Sequence, residues 1–262
     1  MARILVTLLG IALVLTNVGC NKSADSDPNI NLLIDDEFNV SLWEDLNLDG
    51  RDLRFRLSTI NDQDCLNSNI DYSLRIQGED IILSINDLMD PPDCISGMAP
   101  ANASVLIGQL ENGSYPLQIN LKNEIVNEGA LKVTHTQYSI ELNSDHGIVL
   151  DEERLLRIPD QTIWGFVGYK NAALSTVNEF TEAAAAVTAP KLLTIGNYGY
   201  FTIADGNEIV LNEQSEFSNT QTLILHLDES NAAAFTELVD TYRSNYGEEL
   251  EIKIYTDKGE EL

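Results

Sequence analysis

Residues 51–58 read Arg-Asp-Leu-Arg-Phe-Arg-Leu-Ser. Successive side chains of an extended chain alternate in direction, so Leu53, Phe55 and Leu57 share one face and Asp52, Arg54, Arg56 and Ser58 the other. One face suits a core and the other suits water. The same period of two extends outward from this stretch. It recurs at Tyr72, Leu74 and Ile76, at Tyr115, Leu117, Ile119 and Leu121, and at Tyr138, Ile140 and Leu142, with shorter candidates at 81–85 and 105–107. Asp49-Gly50, Gln77-Gly78, Asn112-Gly113 and Glu128-Gly129 supply the intervening turn signals. No helical period competes before residue 155. The pattern predicts an antiparallel β-sandwich of about seven to nine strands over residues 31–155. Pro116 has no amide hydrogen to donate, so its strand is expected at an edge or to start late.

After residue 155 the period changes. Residues 162–169, Thr-Ile-Trp-Gly-Phe-Val-Gly-Tyr, are strand-like. Asn171 is placed to cap a helix running to 187, with Leu174, Val177, Phe180, Ala184 and Val187 at helical spacing and Pro190 to stop it. Strands are expected at 198–203 and 208–211, around an Asp205-Gly206 turn, and at 222–227. A second helix from Ser230 carries the apolar stripe Phe235, Leu238, Val239, Tyr242 and Tyr246, closed by Gly247. Leu-Glu-Ile-Lys-Ile-Tyr at 250–255 ends the pattern as a strand. The order strand, helix, strands, helix, strand suits a small ferredoxin-like (split β-α-β) α+β domain over residues 156–262, expected to fold on its own.

The amino terminus reads as an address. Arg3 precedes an apolar run at residues 4–15 interrupted only by Thr7 and Gly10, the length of a signal-peptide core and too short to span a bilayer as a helix. Val18-Gly19-Cys20 resembles a lipobox. The resemblance implies a signal peptide at 1–19, diacylglycerol on the Cys20 thiol and cleavage just before it. Asn21-Lys22-Ser23-Ala24-Asp25-Ser26-Asp27-Pro28 is too polar to bury itself and is expected to be a flexible tether within 20–30. A lysine followed by acidic residues after the lipidated cysteine resembles the surface-export signal of Bacteroidota lipoproteins. The implied location is the bacterial cell envelope, at the outer membrane and surface-exposed, with the membrane as first partner.

Composition narrows the function. The chain has 15 Lys and Arg against 42 Asp and Glu, a formal charge of −27, spread over both halves. Phosphate binding needs clustered basic residues, and none cluster here, which excludes nucleic acid as a partner. With Cys20 lipidated, only Cys65 and Cys94 remain, and two cysteines in an exported chain read as one disulfide. Such a bridge stabilises by roughly 3–4 kcal/mol on the loop-entropy account. Neither cysteine has a histidine in its local sequence, as a nucleophilic thiol would want.

Three features could carry chemistry. Asp45, Asn47, Asp49 and Asp52 present oxygens at near-alternate positions around Gly50, resembling the start of a calcium loop, although the twelfth position, where a carboxylate belongs, is Arg56. The competing reading is an acidic hairpin turn. His135, His146 and His226 lack metal-site spacing, and Asp145-His146 lacks a serine elbow. Trp43 and Trp164, the only tryptophans, and the Tyr198, Tyr200, Phe201 group supply flat surfaces of the kind that stack on sugars. Glu44 and Asp45, or Glu248, Glu249 and Glu251, are ordinary neighbours in so acidic a chain. The leading reading is therefore a membrane-anchored, non-enzymatic interaction or structural module of the envelope, with an envelope protein or glycan as partner. The alternatives are a surface carbohydrate- or nutrient-binding lipoprotein, or a hydrolase whose site forms only in three dimensions.

Overall fold

A computed structural model describes residues 37–89 and 91–262. The expected signal peptide, Cys20 and the tether lie outside the described residues. The structure is mainly β with two helices. Its larger sheet holds β1 (Phe38–Asn47), β2 (Gly50–Cys65), β3 (Asn69–Gln77), β4 (Asp80–Met89), β5 (Ser96–Gly108), β6 (Gly113–Leu121), β7 (Ile125–Val133), β8 (Gln137–Leu142), β9 (Ile148–Leu150) and β10 (Arg154–Leu156). Their order is β10-β8-β7-β6-β4-β3-β5-β2-β1-β9. The alternation at 51–58 is realised: Leu53, Phe55 and Leu57 are buried and enter a single core with Phe38, Val40, Ile81, Leu83, Leu117, Ile119, Leu131 and Ile140.

The sheet is not purely antiparallel. β4 pairs parallel with β6, from Ile81↔Leu117 to Ile85↔Leu121. The cause is β5, which lies between them in sequence but leaves to pair with β2. β1 pairs parallel with β9. The β3–β5 seam is one parallel pair, Asn69↔Asn102, and a bulge follows at Asp71/Tyr72. Beyond it β3 has no further backbone pairing with β5, although the Tyr72 hydroxyl still reaches the Ser104 carbonyl at 3.2 Å, and Tyr72 and Ile76 are 37% and 43% exposed, unlike the half-buried strand the alternation suggests.

Turns and proline follow local chemistry. β1 and β2 turn at Leu48-Asp49, with Asn47 opposite Gly50. Glu128-Gly129, expected as a turn, lies inside β7. A Cβ on Gly129 would meet the Glu141 carbonyl at 2.0 Å, so here the missing side chain permits close approach of β8. The actual β6–β7 turn uses Lys122 and Asn123, both with positive φ. Pro116 sits in β6 opposite Ala130, and β4 joins on the other side only from Leu117, so the proline occupies the half of its strand with one neighbour. Cys65 ends β2 and its sulfur lies at disulfide distance from that of Cys94, with Cα atoms 5.3 Å apart. The bridge fastens the end of β2, where Cys65 faces Ser96, to the chain entering β5.

The second sheet contains β11 (Thr162–Tyr169), β12 (Ala189–Pro190), β16 (Asn219–His226) and β17 (Leu250–Thr256), in the order β12-β16-β11-β17, all antiparallel. β13 (Gly196–Asn197), β14 (Phe201–Ile203) and β15 (Ile209–Leu211) form a small third sheet between β12 and β16 in sequence. Helix α1 (Leu174–Val187) and helix α2 (Ala232–Tyr246) each follow a short 3-10 turn, Asn171–Ala173 and Glu229–Asn231. Asn171 therefore opens the 3-10 turn instead of capping α1, and its Oδ1 accepts from Asn219 Nδ2. Val177, Phe180 and Ala184 of α1, with Phe235 and Val239 of α2, pack on Ile163, Val167, Leu250, Ile252 and Ile254. An apolar helical stripe is marginal alone, and this sheet face supplies its cover.

The opposite face of β11 carries Trp164, which joins Leu156, Ile158, Tyr198, Phe201, Ile203 and Ile224 in a third core cluster. Leu46 of β1 packs against it, so both larger sheets border this cluster within one compact unit. Gly165 lies between the two core faces at φ +155, and a Cβ there would stand 1.9 Å from the Lys253 carbonyl. Both atoms belong to paired backbones and cannot swing aside. Gly165→Ala is expected to cost about 3 kcal/mol or more by prising β11 from β17. Urea unfolding checks this, and an unchanged midpoint contradicts it.

Candidate functional site

β1 presents two faces. Phe38, Val40, Leu42 and Glu44 alternate inward, whereas Trp43 and Asp45 point to the other side. Glu44 is only 3% exposed. Its Oε1 accepts from Tyr138 OH at 2.7 Å and Arg157 Nε at 3.1 Å, and its Oε2 lies 3.4 Å from Arg51 Nη1. The arginines reach further. Arg51 also donates to the Ile158 carbonyl and to Asp160, and Arg157 to the Thr134 carbonyl. Burial, then the Glu44 carboxylate, raises the Tyr138 phenol well above the ordinary tyrosine range and keeps it a donor. The carboxylate thus fastens the chain that leaves the larger sheet.

On the far side of β1, Trp43 enters an aromatic group. Its ring centroid is 4.7 Å from that of Tyr200, and Tyr200 is 5.6 Å from Trp164. Trp164 lies 5.7 Å from Phe201 and 6.1 Å from Tyr255. The strand expected over 198–203 would turn Tyr200 and Phe201 to opposite faces, yet both reach Trp164. The chain is not extended there: Gly199 takes φ +82 beneath the Trp43 ring and β14 starts only at Phe201. Tyr198 instead stacks on Phe201 and is 5% exposed.

Trp43, Leu46, Trp164, Tyr200 and Tyr255 line a cavity of about 250 Å³, with Asn212 and Glu213 at one side. Most of its polar groups bond to the protein. Tyr200 OH accepts from the Leu46 amide at 3.2 Å, and Asn212 donates to the Gly199 carbonyl. Glu213 accepts from Tyr255 OH at 2.6 Å and pairs with Lys253. Glu251 lies 3.5 Å from Lys253 and accepts from the Ser215 hydroxyl and the Glu216 amide. Burial pushes the Glu213 carboxyl up, but Lys253 and Tyr255 outweigh it and hold it below the ordinary carboxylate value. Burial is likewise outweighed at Glu251 by Ser215, Glu216 and Lys253. The bond to Glu213 raises Lys253, and burial followed by that carboxylate pushes Tyr255 up to about 12.

The other candidate residues are dispersed or engaged. Asp45 accepts from Trp43 Nε1 at 2.8 Å and pairs with Arg54. Asn47 Oδ1 accepts from the Asp49 amide at 2.9 Å, and Asn47 Nδ2 donates to Asp52 at 3.2 Å. These bonds build the hairpin turn, and among the described residues no group of three or more His, Cys, Asp or Glu is arranged to hold a metal. His135 and His146 are exposed, the latter's backbone held by buried Asn127, and His226 lies 3.2 Å from Asp228. Among the described residues no helix is long and apolar enough to cross a membrane. Sequence reasoning missed Glu44, Glu213, Lys253 and Tyr255 as site residues. For Glu44 a signal existed, since period two puts it on the face of Phe38, Val40 and Leu42.

The cluster sets a pH window. The Glu213 and Glu251 contribution is present above the ordinary carboxylate value and is lost as pH falls through their lowered values. The Tyr255 contribution is present below the ordinary tyrosine value of 10.0 and is lost as pH rises towards about 12. Tyr255→Phe, which removes one hydrogen bond, is expected to cost about 1 kcal/mol at neutral pH. Its melting temperature should converge on that of the wild type between pH 10.0 and about 12. Parallel melting curves across that window contradict the assignment.

No protein-family model matches the chain, and the comparisons with curated proteins and with solved structures find no match.

Proposed function

We propose that this chain is an exported, lipid-anchored protein of the bacterial cell envelope whose globular part acts by binding, without catalysis, through the aromatic cleft. The observation that carries the reading is the cleft itself. Trp43, Tyr200, Trp164 and Tyr255 come from separate segments and converge on one cavity, while the flanking carboxylates are committed to Lys253, Tyr255, Ser215 and the Glu216 amide. Carboxylates so engaged hold walls in place and leave no free acid and base across the cavity. The lipobox-like Val18-Gly19-Cys20 and the Cys65–Cys94 pair support export into an oxidising compartment. The half-buried Trp43 and Tyr200 favour a second reading, in which the cleft takes a sugar ring; the 5% exposure of Tyr198 removes that ring from any platform.

For the architecture, we read the larger sheet as a β-sandwich and the smaller as a split β-α-β unit, with the boundary near residue 156. Two features support this: the single-pair seam between β3 and β5, across which both groups of strands feed one core, and the order β12-β16-β11-β17 with both helices on one face. The anchor is tested by metabolic labelling with a fatty-acid analogue. Wild type should carry the label and stay with the envelope, whereas Cys20→Ser should lose the label and remain a precursor or be released. Equal labelling of Cys20→Ser contradicts the proposal.

A further inference from the structure

The cleft has the character of a cage more than of a shelf. Its rings stand at 51° (Trp43 to Tyr200), 47° (Trp164 to Tyr200) and 30° (Trp164 to Tyr255), so they wall the space and offer no common plane. A sugar needs a flat face and several hydrogen-bond partners for its hydroxyls. Here Tyr200, Tyr255 and Asn212 each already make a hydrogen bond within the protein. A quaternary ammonium group asks for no hydrogen bond. It asks for π faces, a nearby negative charge and shelter from water.

The structure supplies all three. Trp43 already receives a cation on one side, where the Arg56 guanidinium carbon sits 3.2 Å from the ring centroid. At the cavity wall Glu213 pairs with Lys253, and behind it the same ammonium lies 3.5 Å from Glu251, so two carboxylates share one cation and leave an excess negative charge. The whole chain, with 42 acidic and 15 basic residues, draws cations towards it. A cavity of about 250 Å³ is smaller than those that enclose drug-sized ligands, and suits one compact head group with its tail leaving through the mouth.

We propose that the cleft bounded by Trp43, Trp164, Tyr200, Tyr255 and Glu213 binds a quaternary ammonium head group. The inference rests on the reading of this cleft as a binding site and names its ligand class. The rings surround the methyl groups and Glu213 supplies the counter-charge. A net cation such as choline is preferred over glycine betaine, whose carboxylate meets the like charge of Glu213.

The chain has two tryptophans, and both line the cavity, so intrinsic emission reports its occupancy. The purified protein is titrated with choline chloride, with glycine betaine, with the neutral isostere 3,3-dimethylbutan-1-ol and with methyl α-glucoside, against matched sodium chloride. Vesicles of phosphatidylcholine and of phosphatidylglycerol separate a lipid head group from a free cation. Choline should shift the emission saturably, and the neutral isostere should bind about tenfold more weakly. Glu213→Gln should weaken choline by a similar factor while leaving the isostere unchanged, a difference that misfolding cannot imitate. A response to phosphatidylcholine vesicles and not to choline would assign the same chemistry to the lipid. Equal affinity for choline and its isostere overturns the proposal. Saturation by the glucoside alone overturns it too but leaves a binding cleft standing, whereas silence to every probe removes both.

Discussion

The arrangement of the two larger sheets turns on a buried carboxylate. Glu44 is 3% exposed, and its charge would be costly there without the partners it has. Tyr138, Arg157 and Arg51 surround it, and the Arg157 guanidinium also lies over the Tyr138 ring at 4.9 Å. The partners come from three places: β2, β8 and the segment just after β10. A carboxylate that satisfies all three fixes the direction in which the chain leaves the larger sheet. Arg51 extends the effect by holding the Ile158 carbonyl at 2.6 Å and Asp160 at 3.1 Å, two positions ahead of β11.

The cleft inherits its geometry from this fastening. Glu44 and Trp43 are adjacent in β1 and face opposite ways, so fixing one orients the other. Arg51 and the Ile158 contact set where β11 begins, and β11 carries Trp164. The rings of Trp43 and Trp164 are then bridged by Tyr200, whose hydroxyl takes the Leu46 amide. Polar burial and aromatic packing therefore act on the same seam from its two sides. This is the familiar division in which buried polar groups specify an arrangement and apolar area supplies most of its stability.

Much of the fold was legible as periodicity. The alternation at Leu53, Phe55 and Leu57 and the stripe at Phe235 and Val239 follow local rules, and both are buried as those rules require. Sheet order was not legible, because the departure of β5 to pair with β2 is a long-range choice that no local window records. Gly129 misled for a physical reason: glycine marks turns and close backbone approaches alike. The cleft was half legible. Trp43, Trp164 and Tyr200 stood out as residue types, but Glu213, Lys253 and Tyr255 gain meaning only when β17 and the chain after β15 come together. Glu44 was readable in principle, since an acid on an inward-facing position must find partners or not be charged.

The Glu44 carboxylate, through Arg157, holds the junction between the two larger sheets. A double-mutant cycle of Glu44→Gln and Arg157→Gln, followed by urea unfolding with tryptophan emission, measures it directly. Glu44→Gln alone is expected to cost about 3–5 kcal/mol, with the pair coupled by more than about 1 kcal/mol. Single changes that cost less than about 0.5 kcal/mol each and simply add, as at an ordinary surface pair, would contradict it.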